Sequence, residues 1–392
     1  MLKELYLLVN VWEEFKMIFN YNLPINLLFG RGRSNEIGTE VAKYGKKALI
    51  VTGRSSTKKS GLLDKTISLL KEAKVEYEVF DKVEQNPLTT TVYEGVDVIK
   101  ETGCDVILGL GGGSIMDAAK SIAFSAKNPG DISEYIFGIK QGDEALPIVL
   151  VPTTCGTGSE GNCFSVLTNP ETKDKKSLRT NVIIAKASII DPELMTTMPK
   201  SILASVGFDA LAHNMEAYVS KIGQPLTSMQ AYYGIKLLAD NLIKVYNDPS
   251  NLEAWENVTL ASTLGGMVIG VAGVTAPHGL EHPASGLYDI VHGKGLAALT
   301  PVIVERSWES DIEKYSDISK LLGGTDAKDC ADAIRGFLEK IDLKVTLGEL
   351  GVKENDIDWM AENCMKVSKP SVANHPKEFS VEEIKEIYYK SL

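Results

Sequence analysis

Short apolar runs alternate with segments of helical spacing through the first half of this chain, and that alternation leaves few architectures open. Residues 25–29, 48–52 (ALIVT), 105–110 (DVILGL) and 147–151 (PIVLV) read as buried strands, and 75–80 as a strand of alternating polarity. Between them, 62–73, 89–102 and 114–126 space their Leu, Ile and Ala as helices do. Strands that alternate with helices predict a parallel sheet covered on both faces. Residues 166–190 break the pattern: two strand-like pieces flank the polar turn Asn169-Pro170-Glu171-Thr172-Lys173-Asp174-Lys175, which reads as a hairpin. From Pro199 onward only helical spacing is found, over 207–220, 225–246, 252–271 and several later segments. A chain of 392 residues exceeds the length at which one core stops growing. We therefore expect an α/β domain over residues 1–198 and an all-α domain over 199–392.

Charge and cysteine usage exclude some classes. A net charge of −11 argues against nucleic-acid and anionic-membrane surfaces, both of which need clustered Lys and Arg. Cys104, Cys155, Cys163, Cys330 and Cys364 are odd in number and form no CxxC, as expected of free thiols in a reducing cytoplasm. The apolar run at 5–12 is too short to span a bilayer, and Glu13 and Glu14 follow it. No signal peptide is expected, and residues 1–16 read as an extension.

Three strand ends carry ligand-binding character. Gly109-Leu110-Gly111-Gly112-Gly113-Ser114 follows a predicted strand and opens a predicted helix. Glycines there let backbone N–H groups approach a pyrophosphate, and the helix N-terminus adds a positive dipole. Ser114 is placed to act as N-cap, with Asp117 closing a capping box. The run departs from strict GxGxxG, since Ser114 stands at the third glycine. At the next strand end, Thr153, Thr154, Thr157 and Ser159 offer hydroxyls where α/β sheets bind ligands. At a third, Thr52-Gly53-Arg54-Ser55-Ser56-Thr57-Lys58-Lys59 has hydroxyls and cations but no acid to hold a ribose 2′-OH. That composition suits a 2′-phosphate, hence NADP(H) ahead of NAD(H). An ordinary capping loop or solvated turn would explain any one of these segments alone.

Four of the five histidines fall between residues 213 and 292. His213 follows Asp209 by four residues, His282 follows His278 by four, and His292 comes ten later. Side chains at i and i+4 share a helix face and can address one ion. Imidazole and carboxylate donors suit Fe²⁺ or Zn²⁺. A competing reading is His278-Gly-Leu-Glu281-His282 as the HxxEH motif of a metallohydrolase. Pro277, Gly279 and Pro283 argue against it by leaving at most a short helix there.

Taken together, GGGSIMDAAK (111–120), PTTCGTGSE (152–160), GFDALAHNMEAY (207–218) and HGLEHPASGLYDIVHG (278–293) resemble the signature segments of iron-containing (group III) alcohol dehydrogenases, over about residues 22–390. The resemblance implies a dinucleotide-binding α/β domain, a helical metal-binding domain and a cofactor in the cleft between them. Its metal ligands fall on Asp209, His213, His278 and His292. The histidine that such proteins place near cofactor and substrate falls on His282, read as catalytic. The lysine they place near the cofactor falls on Lys175. Gly53 stands where NAD-preferring members carry aspartate, and its flanks resemble NADP-preferring members. The implied activity is hydride transfer between nicotinamide C4 and a primary alcohol or aldehyde, by a homodimer. Two departures stand out: Gly161-Asn162-Cys163 replaces a common Val-Thr pair, and His282-Pro283-Ala284-Ser285-Gly286 departs from HPLG. Glycerol dehydrogenases and dehydroquinate synthases share this architecture at lower motif identity and form the second reading.

Overall fold

A six-stranded, wholly parallel sheet organises the first half of the protein. The computed structural model describes residues 18–392, so the apolar run at 5–12 and the expected extension lie outside the described residues. In chain order the strands are β1 (Leu27–Phe29), β2 (Lys47–Gly53), β3 (Glu76–Val83), β4 (Val106–Gly111), β5 (Ile148–Pro152) and β8 (Ala187–Ile190). Their spatial order is β1-β8-β5-β4-β2-β3.

The unbroken apolar runs are explained by burial on both faces. Successive side chains point to opposite sides of a strand. Leu49, Val51, Ile107 and Leu150 meet α2 (Thr89–Thr102) and α3 (Gly113–Ser125) on one face. Ala48, Ile50, Leu108 and Val149 meet α1 (Leu62–Glu72) on the other. The order reverses between β2 and β4, and the register sets Gly111 opposite Pro152. The three ligand-type loops therefore emerge side by side at the carboxyl edge, where open α/β sheets bind ligands.

The hairpin is β6 (Phe164–Thr168) with β7 (Lys175–Arg179), antiparallel, pairing Phe164 with Arg179 and Thr168 with Lys175. Its tip reaches the helical half: Asp174 accepts from Asn363 Nδ2 at 2.8 Å and Lys366 Nζ at 2.7 Å. The segment read as hairpin from 166 to 190 is thus shorter than expected. Its last four residues form β8, inserted between β1 and β5 as a fully buried parallel strand.

Helices take over after β8: α4 (Lys200–Val219), α5 (Pro225–Asn247), α6 (Leu252–Ala272), α7 (Ala276–Tyr288), α8 (His292–Ser307), α9 (Ile312–Leu321), α10 (Cys330–Lys340), α11 (Ile357–Val367) and α12 (Val381–Ser391). Trp255, Phe208, Leu238, Leu242 and Phe337 are among the residues that knit α4, α5, α6 and α10 into one core. Among the described residues no single helix is long and apolar enough to cross a membrane.

The α7 segment corrects the expectation of at most a short helix. It runs for 13 residues with Pro277 in the first turn and Pro283 inside. Proline in the first turn costs no helical hydrogen bond. Pro283 leaves the Gly279 carbonyl, four residues back, without its backbone donor. The Cys364 thiol of α11 donates to that carbonyl at 3.2 Å.

Candidate active site

The glycine run joins β4 to α3, as its spacing suggests, but the helix is capped differently. Gly112 is the N-cap of α3 and no side chain caps that helix. The expected Ser114 cap and Asp117 capping box do not form. Asp117 turns inward, accepting from Ser159 Oγ at 2.6 Å and the Val166 amide at 3.0 Å. Burial pushes its carboxyl up, against the pull of Lys120. The loop after β5 lies directly on the glycine run: a Cβ on Gly113 would sit 2.3 Å from Thr157 Cγ2.

Lys120, in the same helix, is completely buried. Its ammonium donates to Ser159 O (2.5 Å), Ser159 Oγ (2.8 Å), Phe164 O (2.8 Å), Asn162 O (3.1 Å) and Asn162 Oδ1 (3.2 Å). Burial lowers its pKa to about 8, while Asp117 opposes the drop. Asn162, in one of the two segments that depart from the resembled pattern, is thus part of the cage that shapes segment 159–164. Burial raises the neighbouring Cys163 thiol, so it stays protonated, and pushes the Cys155 thiol up to about 12. Lys120→Met should destabilise the protein by about 3–5 kcal/mol, because the acceptors and Asp117 would be left buried without their cation. Thermal unfolding checks this; a melting temperature within a degree of wild type would refute the cage.

On the helical side, α4 presents Asp209, His213 and Glu216 on one face, α7 presents His278 and His282, and α8 opens at His292. Asp209 Oδ1 lies 3.4 Å from His278 Nε2, 3.6 Å from His213 Nδ1 and 3.7 Å from His292 Nε2. Ligand atoms of Asp209, His278 and His292 all fall within 4.8 Å of one another, as a metal site requires. His213 stands beside this triangle, its ring stacked on His278 at 4.4 Å between centroids. Asp209 Oδ1, His213 Nδ1 and His278 Nε2 are buried and have no hydrogen-bond partner. Buried polar atoms are rarely left so, and a cation among them would satisfy all three. The donor set therefore fits a divalent ion.

The electrostatics agree. Burial works against ionising Asp209, yet the surrounding imidazoles hold its carboxyl well below the usual range. Burial takes His213 down to about 4. Burial also opposes charge on His278, but Glu216 and Asp209 prevail and raise it to about 10. Two carboxylates thus draw one positive charge to this spot, whether proton or metal.

Behind the histidines stands a second layer of carboxylates. His278 Nδ1 pairs with Glu216 Oε1 at 2.5 Å, and Glu216 also takes the Thr275 amide at 2.6 Å. Glu281 Oε2 faces His292 Nδ1 and lies 3.6 Å from Lys175 Nζ. Lys175 in turn donates to Asn86 Oδ1 at 3.0 Å. Carboxylates of this kind fix the tautomer and aim of ligating imidazoles. Glu216 and Asn86 escaped the sequence reading. Glu216 carried a signal, since it lies seven residues after Asp209 and three after His213, on the same helix face. Lys175 sits beside this layer, at the histidine end of the cleft.

The hydrolase arrangement is not present. His282 is outside the triangle, its ring 6.0 Å from that of His292 and 6.3 Å from that of His278. Glu281 is fully buried against Ser285, His292 and Lys175 and does not line the cavity. Burial, with help from Lys175, keeps His282 neutral.

One cavity unites the two halves of the site. Gly113, Ser114, Asp117, Thr157 and Ser159 line one side. Lys175, His213, His278, His282 and His292 line the other. On the far side of Gly112 a second cleft is lined by Thr153, Thr154, Ser56, Thr57 and Lys65. Thr52 is turned away from both, its hydroxyl donating to Leu110 O at 2.8 Å. Gly53 ends β2, and Ser55 precedes a short helix over Ser56–Lys59. A Cβ at Gly53 would approach nothing closer than Ile115 Cδ1 at 3.4 Å, so packing does not demand glycine there. The neighbourhood is less free of acids than the linear segment: β3 brings Asp81 into an ion pair with Lys58.

A parallel sheet with adjacent phosphate-type loops, facing a carboxylate–histidine cluster across one cavity, defines a nucleotide-dependent metalloenzyme. Residues 24–192 match the model for iron-containing alcohol dehydrogenases, and residues 203–392 match that for the C-terminal part of the Fe-containing alcohol dehydrogenase family. The chain belongs to the iron-containing alcohol dehydrogenase family. It is 37% identical to the 1,3-propanediol dehydrogenase of Klebsiella pneumoniae over 382 residues, 95% of this chain and 98% of that one. It is 31% identical to the NAD-dependent methanol dehydrogenase of Bacillus methanolicus over 383 residues, covering 95% and 100%. Among solved structures it is similar to the archaeal halo-thermophilic Red Sea brine pool alcohol dehydrogenase bound to NZQ, with a TM-score of 0.92 and 35% identity over 97% of this chain and 100% of that one.

Proposed function

We propose that this alcohol dehydrogenase works as an NADP(H)-preferring aldehyde reductase and alcohol dehydrogenase, with NAD(H) as the weaker cofactor. Asp209, His213, His278 and His292 hold the divalent ion, Fe²⁺ first and Zn²⁺ as the alternative. The observation that carries this reading is the convergence of unpartnered buried donor atoms at the end of a cavity whose opposite wall is the glycine loop. The ion supplies Lewis acidity to the substrate oxygen, and the nicotinamide supplies or takes the hydride.

The chain's own residues do the rest. Gly111, Gly112 and Gly113, with the amides that open α3, bind the pyrophosphate. Thr153 and Thr154 add hydroxyls beside it. Ser114, Asp117, Thr157 and Ser159 shape the wall against which the nicotinamide lies. Glu216 and Glu281 hold the Nδ1 atoms of His278 and His292, which aims their Nε2 atoms inward. His282, neutral and inside the cavity, exchanges the substrate's proton at its imidazole nitrogen. Phe164, Val166, Ile269 and Val274 keep that end of the cavity apolar. The proposal extends to a cytoplasmic homodimer; all five cysteines are free.

The deciding experiment follows reduced-nicotinamide absorbance under anaerobic conditions. Metal-stripped protein is supplied with Fe²⁺ or Zn²⁺ and offered butanal with NADPH or NADH. Metal-dependent oxidation of NADPH, faster than of NADH, is the expected result; folded protein inert with either metal would defeat the reading. Gly53→Asp should then move the NADH-to-NADPH ratio of kcat/KM by about tenfold or more, the worth of a hydrogen bond to a charged group. An unchanged ratio would remove Gly53 as the selector.

A further inference from the structure

The cavity extends well beyond the histidines, along one face of the hairpin. Lys175, Ser177 and Arg179 alternate on β7, and all three line it. From Lys175 to Arg179 the strand advances about 13 Å at ~3.3 Å per residue. Lys175 marks the reacting end, since its ammonium lies 3.4 Å from His292 Nδ1. Arg179 marks the other end.

The two cations differ in their surroundings. Lys175 is committed to Asn86 and Glu281. Arg179 has no carboxylate within ion-pair distance among the described residues. The only acid lining the cavity among the described residues, Asp117, is occupied by Ser159, the Val166 amide and Lys120. The Arg179 guanidinium stacks on the Phe164 ring, 4.5 Å from its centroid. That stacking fixes the plane of the group and leaves its N–H edges free. Phe164, Val166, Ile269 and Val274 line the path between the ends, an apolar stretch with a cation at its end and a metal cluster at its start. Gly113 and Ser114 of the glycine run line the same cavity from the start of α3, so the cofactor's phosphates have partners there other than Arg179.

We propose that Arg179 is a specificity determinant that anchors an anionic tail, so that the preferred substrates are medium-chain aldehydes or alcohols, long enough to cross that distance, bearing a carboxylate at the far end. This rests on the dehydrogenase reading for the reacting end, and on Arg179 alone for the tail. The carbonyl or hydroxyl lies at the histidines, the methylenes along Phe164 and Val166, and the tail accepts from the guanidinium in the two-pronged geometry that arginine offers carboxylates.

The test compares two eight-carbon aldehydes, 8-oxooctanoate and octanal, with the metal-loaded enzyme and NADPH. Wild type should favour the anionic aldehyde by about tenfold or more in kcat/KM, as expected for a charged hydrogen bond. Arg179→Gln should collapse that preference about tenfold, through KM rather than kcat, and Arg179→Lys should restore part of it. Raised ionic strength should weaken the preference. Absence of any preference in wild type, or the same preference in Arg179→Gln, would overturn the proposal. So would a rise in the KM for NADPH in place of that for the aldehyde, which would assign Arg179 to the cofactor. If neither aldehyde reacts, the dehydrogenase reading fails and calorimetry decides Arg179 separately. Binding of 8-hydroxyoctanoate to the metal-loaded protein with NADP⁺, lost in Arg179→Gln, supports the anion site; equal binding in both proteins refutes it.

Discussion

His278→Ala should abolish turnover, lowering kcat by about a thousandfold or more, and the purified protein should no longer retain the metal. The size follows from losing several kcal/mol of charge stabilisation at the substrate oxygen. Its place in the cluster explains the severity. Nε2 of His278 is one of the unpartnered buried atoms beside Asp209, and Nδ1 is held by Glu216. Removing the ring takes away a ligand and leaves the Glu216 carboxylate buried without its partner. Two further variants separate the layers. Glu216→Gln should weaken metal retention about 10- to 100-fold and keep measurable activity at saturating metal. His282→Ala should slow turnover and leave metal content unchanged. Elemental analysis beside steady-state kinetics reads all three. Full metal content in an inactive His278→Ala, or equal metal loss in His282→Ala, would break the assignment.

The second large effect concerns stability. Gly158, at φ +56°, passes against α6 so closely that a Cβ on Gly266 would lie 1.9 Å from the Gly158 carbonyl oxygen. Gly266→Ala should cost about 4 kcal/mol or more, a penalty reached only when backbone must move. The reference is Gly336 in α10, where an added Cβ meets nothing within 4 Å. Gly336→Ala should stabilise by about 0.5–1 kcal/mol, since glycine inside a helix costs that much relative to alanine. Chemical denaturation of both variants gives the comparison; a Gly266→Ala protein as stable as wild type would contradict the contact.

Most of the architecture was legible because the chain's patterns are strong. Strands buried on both faces leave long apolar runs, and α2 matched its expected span because Gly103 closes it in a left-handed conformation. Asp209 and His213 could be paired from spacing alone, being one turn apart. His292 could not: nothing local says that the first residue of α8 folds back onto α4. The misreadings share a cause, in that the deciding partner was distant in sequence. Asp117 looked like a cap because Ser159 and Val166, which claim it, lie more than forty residues away. Pro283 looked like a helix breaker because the thiol that answers the freed carbonyl comes from Cys364. β8 was absorbed into the hairpin because a four-residue strand has no period of its own. Lys120 gave no sign of burial, since its five acceptor contacts lie in the segment 159–164, about forty residues further along the chain.

The hairpin has a consequence for how this chain can be cut or recombined. It springs from the sheet half, yet its tip is tied to α11 through Asp174, while Gly158 is pressed into α6. The halves differ in element type, but each completes the other's surface at several separate points. Severed after β8, the first half would expose the underside of the hairpin and the Gly158 turn that packs on α6. The sheet half is therefore not a portable module, and grafting it onto another helical partner would require carrying the matching faces of α6 and α11 along with it.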